Sequence, residues 1–213
     1  MLIPEFIGNR FWRVASVVII FCLSVVNLEA QLRRVELGID VGTYQVLDKT
    51  KNIWNDGFLL RAHFVTSKNS GKKIMFWHGY SAFYSIQSNK PDTIFIDKTP
   101  LKYEFYIYGK REIVGINWRA KWWRDSDAPF SFYWSADVGI VSDSYSVIHW
   151  FPGVREEGGG GALSTFVSPS IGIQYARKNG FVFFLNADYQ ISYSYLKELR
   201  QTLNIGVGGL YRF

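Results

Sequence analysis

Hydrophobic and polar residues alternate with a period of two along most of the chain beyond residue 30. The clearest segment is 181–195, where aromatic and aliphatic residues occupy every second position and Asn, Asp, Gln and Ser lie between them. Successive side chains of a β-strand point to opposite faces, so this segment predicts a strand with one apolar and one polar face. It exceeds the roughly 9–11 residues that a tilted barrel strand needs to cross a bilayer.

Similar alternation elsewhere predicts further strands, and residues typical of turns separate them. The further strands include 35–43, 60–66, 101–107, 114–122, 132–140, 145–151, 167–175 and 203–213. Short turns are predicted at 67–71, 109–112, 141–145 and 177–180, and longer connections at 47–57, 87–100, 124–130, 152–162 and 196–201.

This pattern predicts an all-β fold, an antiparallel up-and-down transmembrane β-barrel. Short turns alternating with longer connections are typical of outer-membrane barrels, which also have an even number of strands. Ten strands is the preferred count. Segment 145–151 is the weakest of them, and eight strands is the alternative if it and a neighbour are not separate strands.

The first 30 residues have the pattern of an export signal. Arg10 and Arg13 precede an apolar run at 14–26, which is shorter than the roughly 20 residues of a membrane-spanning helix. A positive flank, a short apolar core and a small residue at Ala30 predict a cleaved signal peptide at 1–30 and a barrel domain at 31–213. An uncleaved anchor helix is the alternative for this segment.

Composition agrees with a barrel and disfavours several other classes. The mean hydropathy of -0.02 is too low for a helical membrane bundle, whereas a barrel averages lipid-facing and lumen-facing residues. Aromatic residues make up 18% of the chain, which suits a protein with two membrane interfaces. The net charge is +6, but Lys and Arg cluster in predicted turns and not along one helix or patch, so we expect no nucleic-acid partner. The single cysteine, Cys22, lies in the predicted signal, which leaves none for a disulfide or a thiolate metal site.

The last predicted strand, 203–213, alternates and finishes on an aromatic residue. It resembles the closing strand of bacterial outer-membrane proteins, and the length and hairpin order are similar to those of the small OmpA/OmpX/OmpW-type barrels. The resemblance implies insertion into the outer membrane, contact with its lipid and lipopolysaccharide, and recognition by the barrel-assembly machinery. The residues that match the assembly signal are Ile205, Val207, Tyr211 and Phe213.

Charged residues of both signs fall on the predicted polar faces, which would line the lumen. They are Glu36, Asp40, Arg61, Glu104, Arg119, Lys121, Asp137 and Asp188. Side chains fill the interior of a barrel of this size, so we predict a plug of ion pairs in which each base contacts an acid. The two surplus acids should lie near an end or be hydrated. A narrow solute channel through the same residues is the alternative.

No motif predicts a catalytic, cofactor or metal site, and an enzyme is the minor alternative. Some small barrels modify lipid A with a histidine and a serine or a carboxylate, and the histidines here are His63, His78 and His149. His78 and Ser81 are three positions apart, so in a strand they point to opposite faces. We therefore expect a structural or surface-interaction role carried by the longest connections, 47–57, 87–100 and 152–162.

Overall fold

The computed structural model describes residues 34–48, 51, 54–67, 74–90, 106–124, 129–151, 154–177, 179–194 and 199–213. The predicted signal peptide lies outside these ranges. The described residues form eight strands. They are β1 (Arg34–Val46), β2 (Gly57–Ser67), β3 (Ile74–Ser88), β4 (Tyr106–Arg124), β5 (Phe130–Phe151), β6 (Val154–Ala176), β7 (Phe181–Ser194) and β8 (Leu199–Arg212).

The eight strands form a closed barrel in chain order, with every neighbour antiparallel. β8 pairs with β1 from Glu36↔Arg212 to Val46↔Thr202, and this pairing closes the wall. We call the end of the barrel that carries Arg34 and Arg212 the terminal rim, and the opposite end the loop rim. None of the residues in the described ranges forms a helix that is long and apolar enough to cross a membrane.

The alternative count of eight strands is confirmed, and the preferred count of ten is wrong. β4 runs without interruption through the turn predicted at 109–112, and β5 runs through the turn predicted at 141–145. Charged residues in both segments resemble turn residues, but they form ion pairs. Arg111 points into the barrel and binds Asp143 of the neighbouring strand, whereas Lys110 and Glu112 pair on the outside.

The connection predicted at 152–162 is also wrong, because most of it belongs to a long hairpin. β5 and β6 pair from Phe130↔Tyr175 to Phe151↔Val154, which leaves only 152–153 between them. The glycines at 158–161 are part of β6. At Gly160 a Cβ atom would lie 2.6 Å from the hydroxyl of Tyr145, so the glycine leaves room for that ring on the adjacent strand.

The wall of the barrel is apolar outside and polar inside. Large hydrophobic side chains point outward along the strands, and Phe132 and Ile171 are 77% and 68% exposed. Inward positions instead carry buried polar and charged groups together with two apolar clusters. The cluster nearer the terminal rim contains Val65, Met75, Trp77, Trp123, Tyr133, Val182, Phe184 and Leu210. The cluster nearer the loop rim contains Tyr44, Leu59, Phe83, Ile113, Val141 and Phe166.

Inward aromatic rings lie over glycines of the neighbouring strand, which lets large side chains fill the narrow interior. A Cβ atom on Gly115 would lie 2.2 Å from the ring of Phe83, and one on Gly172 would lie 2.4 Å from the ring of Tyr133. Each ring and its glycine are register partners. The same arrangement recurs for His63 over Gly38 and Phe184 over Gly208.

Candidate functional site

The lumen holds the predicted charged residues, apart from Glu104, which lies outside the described residues. The other seven are all buried, with exposures from 0% to 6%. Five of the seven, together with uncharged polar side chains, form a belt between the two apolar clusters, and Glu36 and Lys121 lie nearer the terminal rim. All seven come from five strands. They are Glu36, Asp40, Arg61, Arg119, Lys121, Asp137 and Asp188.

Two arginines neutralise two aspartates in the middle of the belt. Arg119 donates from Nε and Nη2 to the two carboxylate oxygens of Asp137, both at 2.8 Å. Arg61 donates from Nη2 to Asp188 at 3.0 and 3.1 Å. Asp188 also accepts a hydrogen bond of 2.7 Å from Asn204. Planar guanidinium groups suit such paired contacts with carboxylates.

Asp40 is the acid that the belt neutralises least. Its side chain is fully buried and lies 4.0 Å from Nε of Arg61 and 3.9 Å from Nδ1 of His63. Neither carboxylate oxygen has a hydrogen-bond partner among the described residues. Its register partners, Arg61 and Gly208, place it in the middle of the barrel and not near a rim.

A second ion cluster lies at the terminal rim, and one member was missed in the sequence. Glu36 accepts a hydrogen bond of 3.2 Å from Lys121 and another from Nε of Arg212 at 2.9 Å. The guanidinium of Arg212 lies 4.3 Å from the ring centre of Trp123 and 5.4 Å from that of Trp77. Arg212 lies at one of the inward positions of the alternating last strand, and this alternation could have identified it as a lumen residue.

A third ion cluster at the loop rim was missed entirely. Arg111 donates to the two oxygens of Asp143 at 2.9 and 2.6 Å and from Nη1 to Gln87 at 3.0 Å, and Arg200 also pairs with Asp143. Arg111 and Arg119 are an even number of positions apart on β4, so both point inward. The alternation would have identified Arg111 if the strand had been predicted as continuous.

Little space remains between these layers. The cavity bounded by Glu36, His63, Arg119 and Lys121 has a volume of about 10 Å³, which is room for about one water molecule. The two apolar clusters lie on either side of the belt. Among the described side chains, this packing favours a filled interior over a continuous channel.

His78 and Ser81, the pair considered from the sequence, point to opposite sides of the wall and do not form a catalytic arrangement. His78 points outward and stacks on Phe76 at 5.7 Å, whereas Ser81 points inward and donates to Asn117 at 2.7 Å. His63 is buried inside, and the described side chains do not include that of His149. The ranges that the structure describes contain no group of three or more His, Cys, Asp or Glu residues that could hold a metal ion.

The four residues of the predicted assembly signal share the outer face of the last strand. Their exposures are 42% for Ile205, 55% for Val207, 36% for Tyr211 and 66% for Phe213. The ring of Tyr211 lies 4.9 Å from that of Phe181 and 4.8 Å from that of Phe213. This group adds an aromatic patch to the outer wall at the terminal rim.

An apolar outer wall around a polar interior is the reverse of the arrangement in a soluble domain, where apolar side chains point inward. Every strand is paired on both sides within the barrel, so the wall leaves no open sheet edge to lipid. The chain is a small transmembrane β-barrel.

No protein-family model matches this sequence, and a search of curated proteins finds no relative. Among solved structures, the chain is similar to Neisserial surface protein A, with 14% identity, a TM-score of 0.48, and coverage of 84% of this chain and 97% of that chain. It is similar to Ail, the attachment invasion locus protein of Yersinia pestis, with 16% identity, a TM-score of 0.44, and coverage of 86% and 100%. It is also similar to the outer membrane protease OmpT of Escherichia coli, with 9% identity, a TM-score of 0.48, and coverage of 84% and 97%.

Proposed function

We propose that the chain is an integral outer-membrane protein with a closed lumen that acts through the part of its sheet beyond the loop rim. The observation that carries the membrane assignment is the apolar outer wall, on which Phe130, Phe132 and Ile171 are each more than 60% exposed. Such a continuous apolar surface is unfavourable in water. Lipid and lipopolysaccharide would cover it, and the barrel-assembly machinery would insert it.

A closed lumen disfavours the solute channel. Buried ion pairs lie in the interior at three levels, and the two apolar clusters lie between these levels. Moving an ion through would require breaking buried pairs, and the desolvation penalty is several kcal/mol per ion. We expect the purified protein to give no conductance steps in a planar bilayer. Reproducible steps that disappear when the lumen charges are changed would favour the channel.

The surface role is assigned to a sheet that continues past the barrel wall. β5 and β6 remain paired up to Phe151↔Val154, and β4 follows β5 up to Tyr106↔Trp150. The pairing of β6 with β7 begins only at Ser164↔Ser194. Among the described residues, the part of β6 before Ser164 therefore has no strand on its second side.

A free strand edge presents backbone donors and acceptors to a partner. At about 3.3 Å per residue, segment 154–163 offers an edge roughly 30 Å long. Extended polypeptide can bind such an edge as an added strand. We therefore expect the protein to work as a surface-interaction module, with no cofactor and no nucleic-acid partner.

A truncated hairpin tests the surface role separately from the barrel. Removing residues 145–160 and joining Ser144 to Gly161 by a two-residue turn shortens the sheet, because these two residues are register partners. Cells that display equal amounts of the full and truncated proteins are compared for adhesion to one another and to polypeptide-coated surfaces. Adhesion should require the intact hairpin. Equal adhesion by both proteins would contradict the role of this sheet.

A further inference from the structure

The pairing between β1 and β8, which we call the closing seam, differs from all the others in the barrel. Every other pair of neighbours is consecutive in the chain and forms a hairpin. In a hairpin, the turn fixes the register of the two strands. No turn joins β1 to β8, so their register must come from contacts along the seam.

The middle of the closing seam is poor in side chains that could define this register. Gly42 faces Gly206, and Asp40 faces Gly208. A Cβ atom on Gly208 would lie 2.5 Å from the ring of Phe184 and 2.7 Å from Cβ of Asp40, so the position is closed to larger residues. Glycine-rich strands specify their register weakly, because few side-chain pairs are lost when they slip.

One pair at the terminal end of the closing seam is strongly specific. Glu36 of β1 and Arg212 of β8 are register partners, and they form a charge-assisted hydrogen bond of 2.9 Å. Glu36 has no exposed surface, and Lys121 of β4 contacts its second oxygen at 3.2 Å. The guanidinium of Arg212 is packed 4.3 Å from the ring centre of Trp123. The pair is therefore held in place from across the lumen as well as along the seam.

Slipping the seam by two residues keeps every side chain on its proper face, so alternation alone does not prevent it. In one direction Arg212 would face Arg34, and Glu36 would face Leu210. In the other direction Arg212 would face Gly38, where the ring of His63 already lies, with its Nε2 atom 2.2 Å from the place a Cβ atom would occupy. Both slips separate Glu36 from Arg212 and leave a buried carboxylate without its seam partner.

We propose that Glu36 and Arg212 form a register lock that selects the alignment in which the barrel closes. Arg212 lies between Tyr211 and Phe213 of the predicted assembly signal, but its side chain points into the lumen. It would therefore add an inward contact to the assembly role predicted for these residues. The outward residues meet lipid, whereas the inward arginine recognises the first strand. The lock concerns closure of the barrel and does not depend on the proposed surface role.

Disulfide trapping reads the register directly, because the chain has a single cysteine, Cys22, which serine replaces in the test background. Val41 and Val207 face each other on the outer wall. Directly opposed residues are about 4.5–5.5 Å apart between Cα atoms, within the roughly 4.4–6.8 Å range of disulfides. The pair Val41→Cys and Val207→Cys therefore reports the native register. Val41→Cys with Ile205→Cys reports the slip that brings Arg212 opposite Arg34. Val41→Cys with Gly209→Cys reports the slip that brings Arg212 opposite Gly38.

The full chain is produced in a Gram-negative host, and cross-linking is measured in the assembled membrane fraction. The unmodified lock should give almost only the native product. Arg212→Gln should raise the Ile205 product several-fold, because the repulsion between Arg34 and Arg212 is gone. Glu36→Gln should raise the Gly209 product and not the Ile205 product. Arg34 and Arg212 are both intact in this variant, so their repulsion still opposes the slip that Ile205→Cys reports. Arg212→Lys keeps the charge and should retain the native product.

The control is Arg111→Gln, which removes a buried arginine that pairs with Asp143 between β4 and β5 and makes no contact with Glu36 or Arg212. It should leave the seam register native. If Arg212→Gln fails to assemble, Glu36→Gln answers the same question, because it keeps the shape of the side chain. An unchanged ratio of the three products in the assembled Glu36→Gln and Arg212→Gln proteins would overturn the register lock.

Discussion

Replacing Arg119 with alanine should strongly destabilise the folded barrel. Arg119 and Asp137 are 6% and 4% exposed and are joined by two hydrogen bonds of 2.8 Å. The substitution leaves the carboxylate of Asp137 buried without its cation, and breaking a buried pair in this way costs about 3–5 kcal/mol.

Urea unfolding of the detergent-refolded protein measures this effect. With a slope of about 2 kcal/mol/M, a loss of about 4 kcal/mol lowers the midpoint by about 2 M. Lys110→Ala is the control, because its pair with Glu112 is one-third exposed on both sides and should contribute about 0–1 kcal/mol. The double variant Arg119→Met with Asp137→Leu should recover most of the loss, since it removes both charges. If Arg119→Ala shifts the midpoint no more than Lys110→Ala, the interior is hydrated and the closed-lumen account fails.

Three further outcomes follow from the wall of the barrel. Deleting Phe213 should reduce the folded fraction without changing export, measured by heat-modifiability on gels, and equal folded fractions would refute a role for this aromatic. Gly172→Ala should cost about 1–3 kcal/mol, because its methyl group would lie 2.4 Å from the ring of Tyr133. Gly209→Ala is its control in urea unfolding, since the nearest atom is 4.0 Å away. Circular dichroism of the refolded 31–213 segment should show almost no helix, and a substantial helical signal would reject the barrel.

The sequence was most informative about the faces of the strands. Alternation depends only on parity, so it pointed Arg61, Arg119 and Asp188 to the interior without any knowledge of the register. Which base meets which acid was not predictable, because the pairing depends on strand register and some contacts join strands distant in sequence. Arg61 and Asp188, for example, are separated by 127 positions.

The errors came from reading charge as a sign of a turn. Arg111 and Asp143 each lie in a short polar segment that resembles a loop, and only the paired strands reveal that they neutralise each other. The glycines at 158–161 were misread for a similar reason, since they look flexible in isolation but are ladder-paired in the long hairpin. Glu104 lies outside the described residues, and its predicted place in the lumen stays a prediction.

Separation of the cell envelope on a density gradient tests the central claim most directly. The full chain is produced in a Gram-negative host, and the membranes are washed with alkaline carbonate before the gradient. The account predicts that the protein stays with the outer-membrane fraction and migrates faster on gels before heating than after it. Recovery of the folded protein in the soluble periplasmic or cytosolic fraction would contradict the account, because its apolar outer wall would then have to be stable in water.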